Sequence, residues 1–122
     1  MDLNPQVACY ILRFYAHLMA EEEWKAHCHL IATLKATKGR SDLAAQREAQ
    51  NHKFYSRSLS AEPHVLKLAR DGYEQFQLTT ASRILRDSAQ MVFFNRCPAC
   101  NQLARTPSAR QCRYCGHDWH QT

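Results

Sequence analysis

Cys97-Pro98-Ala99-Cys100 and, after eleven intervening residues, Cys112-Arg113-Tyr114-Cys115-Gly116 decide how the C-terminal end of this chain folds. A Cys-x-x-Cys pair on a tight turn carries both sulfurs on one side of the backbone. Two such turns facing each other supply the four thiolates that tetrahedral Zn²⁺ prefers. The expected ligands are therefore Cys97, Cys100, Cys112 and Cys115, holding one zinc ion per chain. A closed Cys₄ site has no open coordination position, so it stabilises a fold rather than activating water. The pattern speaks to metal and says much less about biochemical role.

The flanks of the two pairs read as short strands and turns. Met91-Val92-Phe93-Phe94 is β-prone and leads into the first pair, and Leu103-Ala104-Arg105 supplies a returning strand closed by a Thr106-Pro107-Ser108 turn. Gly116 suits the positive φ that lets backbone N–H groups point at a thiolate, and Asn101, in the equivalent place after Cys100, is the next most tolerant residue. His117-Asp118-Trp119-His120 closes the chain as a final strand, with Trp119 expected to pack against Phe93 or Tyr114. Residues 92–120 thus resemble a zinc ribbon, in which two knuckles on β-hairpins grip one zinc. The resemblance covers about a quarter of the chain and implies fold and metal, not activity, because that superfamily spans nucleic-acid-binding, protein-binding and purely structural members. The overall layout is similar to small uncharacterised bacterial helical proteins ending in such a ribbon. Rubredoxins, which hold iron, resemble the chain only in having two knuckles, and their longer interval encloses an aromatic core that eleven residues cannot supply. A treble clef needs a helix after the second knuckle, and only seven residues follow Cys115. His117 and His120 are redundant as ligands beside four thiols.

Upstream the grammar is helical. Val7, Ile11, Phe14 and Leu18 form an amphipathic stripe behind an Asn4 N-cap and Pro5. Trp24, Cys28, Ile31 and Leu34 continue at helical spacing. Glu21-Glu22-Glu23 interrupts the stripe as the acidic first turn of a new helix. Two helices, about 5–18 and 21–37, are expected, the second ending on a left-handed Gly39. A sparse third helix spans about 42–57 around Leu43, Ala49 and Phe54. A last helix runs from Pro63 to about residue 87, burying Leu66, Ala69, Tyr73, Phe76, Ile84 and Leu85, with Asp71-Gly72 placed to kink or split it. No internal repeat is evident. The fold expected is mainly α: a bundle of about four helices over 1–88, with a small C-terminal β zinc ribbon over 89–122 packed on it.

Composition bounds the role. The 122 residues are 45% hydrophobic and 22% charged, ordinary for a globular chain, with too few glycines and prolines for a flexible linker. The longest strictly apolar run, Met91–Phe94, is too short to cross a bilayer, and Met1-Asp2-Leu3-Asn4-Pro5 shows no signal-peptide pattern. Cys9 and Cys28 fall on apparent apolar helix faces, where they are expected to be buried and reduced, and the helical pattern needs no disulfide staples. A reduced, cytoplasmic setting follows. His27-Cys28-His29, with His17 and Glu21 upstream, invites a second metal site, but neighbouring helix positions diverge. No Gly-rich phosphate loop, nucleophile elbow or H-E-x-x-H motif is present, so a non-enzymatic protein with no small-molecule substrate is expected. The net charge is +5 and unevenly spread, with a local excess over 83–122 where six arginines face two aspartates. Arg96, Arg105, Arg110 and Arg113, with Tyr114 and Trp119, are the candidate partner surface. Isolated arginines suit an ion-pair rim on an acidic protein, the expected partner. Nucleic acid, with phosphates on the arginines and bases on the two aromatics, is the alternative.

Overall fold

The computed structural model describes residues 3–120. The Met1-Asp2 end read for a leader and the last two residues of the expected ribbon lie outside them. Five α-helices make up about half of the described chain: α1 Pro5–Phe14, α2 Glu21–Thr37, α3 Leu43–Gln50, α4 Pro63–Ala69 and α5 Tyr73–Ser88, with short 3-10 turns at Ala16–Leu18, Tyr55–Ser58 and Ala89–Met91. The expected count of about four becomes five because Gly72, at φ +89, splits the last helix.

Local chemistry explains each boundary. The Asn4 side chain accepts the Val7 N–H at 2.9 Å, with Pro5 in the first turn. Helix α1 stops at Phe14 rather than at Leu18, and the chain continues through the 3-10 turn. Helix α2 starts where the acidic triplet predicts. The Glu23 carboxylate accepts the Ala20 N–H at 2.7 Å, half of a capping box, since the Ala20 methyl has nothing to return. Its left-handed end begins one residue early, at Lys38 (φ +56), and continues through Gly39 (φ +82). The third helix ends at Gln50 instead of running to 57, and Tyr55–Ser58 forms a separate turn.

Helix α1 packs against α5, while α2 packs against α3, α4, α5 and the Tyr55–Ser58 turn. Ile11, Leu30, Val65, Phe76 and Ile84 lie at the heart of the core, which Val92 and Leu103 extend into the C-terminal segment. Three faces differ from the sequence reading. In α2 the buried side is Glu23, Ala26, Leu30, Ala32 and Thr37, and the larger stripe turns outward, with Trp24 49% and Leu34 42% exposed. Alanines allow neighbouring backbones to approach closely, and α3 likewise buries Ala45 and Ala49 while exposing Leu43; Phe54, beyond the end of α3, is exposed too. In α4, Val65 is buried in place of the exposed Leu66.

The Glu23 carboxylate, 7% exposed, is clamped by Arg83 of α5 through Nη2–Oε1 (2.6 Å) and Nε–Oε2 (2.7 Å). Arg83 also donates to the Leu18 carbonyl at 2.8 Å. After α5 the chain has no named strand among the described residues. Met91 ends a 3-10 turn, and antiparallel pairing is limited to isolated bridges, Arg96 with Leu103 and Gln111 with Asp118. No described helix is long and apolar enough to cross a membrane.

Candidate metal centre

The two Cys-x-x-Cys turns are built alike. In the first, the Asn101 N–H bonds the Cys97 carbonyl (2.8 Å) and the Cys97 N–H bonds the Gln102 carbonyl (2.9 Å). In the second, Gly116 bonds Cys112 (3.0 Å) and Cys112 bonds His117 (2.8 Å). Each bond, and each isolated bridge, recurs fifteen residues later. A repeat therefore exists where the sequence shows none, because it is carried by backbone geometry and the cysteines alone. Asn101 (φ +63) and Gly116 (φ +79) take the left-handed conformation as expected. Each turn aims two amides at its first sulfur. Ala99 and Cys100 approach Cys97 Sγ at 3.4 and 3.5 Å, while Tyr114 and Cys115 approach Cys112 Sγ at 3.3 and 3.4 Å.

The four sulfurs lie within 4.8 Å of one another, with Cys97–Cys115 at 3.6 Å and Cys100–Cys112 at 3.5 Å. A disulfide requires about 2.05 Å, so these are free thiols. Sulfurs around a tetrahedral ion with bonds of about 2.3 Å stand about 3.8 Å apart, a separation that lies between the two shortest distances here, 3.5 and 3.6 Å, and the 4.8 Å bound on all four. Cys97 and Cys112 are buried, and Cys100 and Cys115 are exposed. The amides of Cys115 and Tyr114 draw the Cys112 thiol down to about 6 against its burial. For Cys100 the Gln102 amide pulls down, but burial and the neighbouring thiols outweigh it and push it up to about 12. Four thiolates this close repel one another strongly, and a cation at their centre relieves that repulsion. The arrangement is that of a metal site.

Side chains of α1 hold the centre against the helices. The Tyr10 hydroxyl donates to the Phe93 carbonyl at 2.7 Å, and burial keeps that phenol above its ordinary pKa. The Tyr15 hydroxyl accepts the Phe93 N–H at 3.1 Å, and Phe94 stacks on Tyr10 at 5.9 Å. Gln6 reaches the Tyr114 hydroxyl at 2.6 Å. Buried Asn95 spans the loop between the knuckles, donating from Nδ2 to the Thr106 and Ala109 carbonyls at 2.9 and 2.8 Å. The Tyr10 and Tyr15 hydroxyls take the backbone carbonyl and N–H of Phe93, which leaves that residue of the β-prone 91–94 stretch no group for a strand partner. Asn95 and the Glu23–Arg83 pair are missed by sequence reasoning. The pair is sixty residues apart, and nothing in the sequence around Asn95 announces buried carbonyls waiting for a donor.

The expected partner residues divide. Arg105, Arg110, Arg113 and Tyr114 are exposed, with the Arg113 guanidinium 5.0 Å over the Tyr114 ring. Among the described residues no carboxylate pairs with these three arginines. Arg96 is half-buried over Phe94 and bonds the Asn101 carbonyl. Trp119 is half-buried and stacks on His117 at 6.0 Å rather than on Phe93, which is 58% exposed. His120 turns to Asp118. The His27–His29 cluster diverges as spacing requires: His27 meets Tyr73, and His29 Nδ1 accepts the Ser60 N–H at 2.9 Å. Both Cys9 and Cys28 are free, but only Cys28 is partly buried. Cys9 is exposed, because two residues from Val7 and from Ile11 places it across the helix from their stripe. No protein-family model matches the chain, and comparison with curated proteins and with solved structures finds no match.

Proposed function

We propose that Cys97, Cys100, Cys112 and Cys115 hold one structural zinc ion that closes a minimal zinc ribbon, and that the chain works without catalysis as a protein-binding module. The observation that carries the zinc reading is the cluster of four sulfurs within 4.8 Å, the one such group among the described residues, whose four thiolates would leave no coordination position for water. When bound, zinc supplies coordination energy in place of a hydrophobic core. The chain's own residues do the rest. Amides orient the two inner sulfurs, Asn95 braces the loop, and the tyrosines dock the ribbon on α1.

Three exposed arginines without carboxylate partners among the described residues support an acidic protein surface as the partner. They are single residues set among polar ones, suited to an ion-pair rim. The Arg113–Tyr114 stack favours a second reading, a single-stranded nucleic acid laid across ring and guanidinium. Metal analysis of protein purified without added metal should return about one zinc per chain. An iron-loaded protein, or one with all six thiols freely reactive, overturns the reading. Random-sequence RNA and DNA separate the two partner classes. Tight binding at physiological salt, lost on Arg105→Ala/Arg110→Ala, favours nucleic acid.

A further inference from the structure

Helix α2 has two apolar faces, and the larger one is outside. Trp24, Cys28 and Ile31, one turn apart along it, face Phe54 and the Tyr55–Ser58 turn that follows it. Between them runs a groove of 210 Å³ lined by Trp24, Cys28, Ile31, Lys35, Phe54 and Tyr55. Its walls are already ordered. Trp24 stacks on His27 at 5.3 Å, Phe54 meets Tyr55 edge-on at 5.2 Å, and His52 Nδ1 accepts the N–H groups of both Phe54 and Tyr55 at 3.1 Å. Trp24 at 49% and Phe54 at 65% exposure are nonetheless left to solvent. A preformed aromatic groove binds without first meeting the cost of ordering its own side chains.

Charge at the rim selects the occupant. Lys35 lines the groove, Lys38 sits at the left-handed end just past α2, and Lys53 and Arg57 flank Phe54 and Tyr55 in sequence. All four are exposed, and none has a carboxylate partner among the described residues. Residues 31–58 hold six cations against two acids. Asp42 is used as the cap of α3, and Glu48 pairs with Arg40. We infer that this groove docks an acidic amphipathic helix of a protein partner, its apolar residues between Trp24 and Phe54 and its carboxylates on the basic rim. From Trp24 to Lys35 the groove follows α2 for about 16 Å, the length of three helical turns. A second copy of the chain is the poorer occupant, because a two-fold contact would set this rim against itself on a chain of net charge +5. The groove is separate from the arginine surface of the ribbon and independent of the reading given to that surface.

The zinc-loaded full chain is titrated with a fluorescein-labelled synthetic peptide of about fourteen residues, Leu at helical spacing i, i+3, i+4, i+7 and Glu on the flanks. A companion peptide carries Lys in place of Glu. Saturable binding of the Glu peptide is expected, with a blue shift of tryptophan emission that Trp24→Phe abolishes. Phe54→Ala should weaken binding at least about tenfold, and Lys35→Glu/Arg57→Glu should reverse the preference between peptides. Both are surface changes, and zinc content and circular dichroism verify folding. The Arg105→Ala/Arg110→Ala variant should bind the peptide unchanged. Loss of binding in that variant, equal binding of the Lys peptide, indifference to Phe54→Ala or no saturation up to about 1 mM each overturns the proposal. So does a peptide-free dimer in sedimentation that Phe54→Ala dissolves, which would make a second copy the occupant, or stoichiometric competition by random-sequence RNA.

Discussion

Asn95 does at the scale of one residue what a longer hairpin does elsewhere. Its Nδ2 donates to two carbonyls of the inter-knuckle loop while its own carbonyl accepts the Ala104 N–H at 2.7 Å. Asn95→Ala strands both loop carbonyls and should cost about 1–3 kcal/mol in urea unfolding. Asn95→Asp should be worse despite its identical shape, because a carboxylate faces two acceptors. A milder effect than that of Ala would show that the loop is held by something else. His29 makes a second single-residue test. Burial holds its imidazole below the ordinary value, and the neutral Nδ1 is what accepts from Ser60. The folded state therefore binds fewer protons than the unfolded one. Its contribution is complete above the unfolded value of about 6.5 and is lost as pH falls below it toward the folded value. Unfolding free energies of wild type and His29→Gln, compared from about pH 8 to pH 5, should converge as pH falls. A constant difference would remove the histidine from the account.

Between elements, the Arg83–Glu23 fork joins α5 to the first turn of α2 and ties both to Leu18. Removing one partner leaves a charge without compensation. Arg83→Ala should destabilise by about 3 kcal/mol, the low end for buried pairs because Arg83 keeps 25% exposure. Chemical denaturation of Arg83→Ala and of Arg83→Ala/Glu23→Leu checks this, and the double variant should recover part of the loss. Such a pair shows where the sequence stops being legible. The acidic triplet announces a helix start through local electrostatics, but which of three glutamates turns inward depends on an arginine sixty residues away. The left-handed Asn101 and Gly116 were readable because a knuckle is a five-residue object whose geometry follows from its own spacing. The faces of α2 were not. Its large apolar stripe and its small-residue stripe both have helical period, and the alanines won the interior because neighbouring helices approach closely there. The 91–94 stretch has β-forming side chains, but the Tyr10 and Tyr15 hydroxyls take the backbone groups of Phe93. What a segment does to itself is visible in its sequence, and what another element does to it is not.

Across the whole molecule, one buried cluster joins α1, α5, Val92 and Leu103. The metal site and the helices should therefore not melt independently. Stripping the ion with a strong chelator frees the four sulfurs and with them the anchorage of Leu103. The thermal transition of the helical signal should fall by at least about 5 °C. Far-UV circular dichroism with and without chelator measures it, and an unchanged helical transition would mean that the C-terminal segment is only a pendant.

The unequal depth of the sulfurs gives the site a direction of wear. Each knuckle contributes one sheltered and one surface thiolate, so an electrophile or a competing ligand meets the outer pair first. If the proposed ion is bound, its loss should follow an order rather than occur as a single event. Brief maleimide treatment of the loaded protein, followed by peptide mapping, should label Cys100 and Cys115 well before Cys97 and Cys112. Equal labelling of all four would mean that the ion leaves in one step. With the outer edge consumed, the inner pair still faces the loop that Asn95 braces.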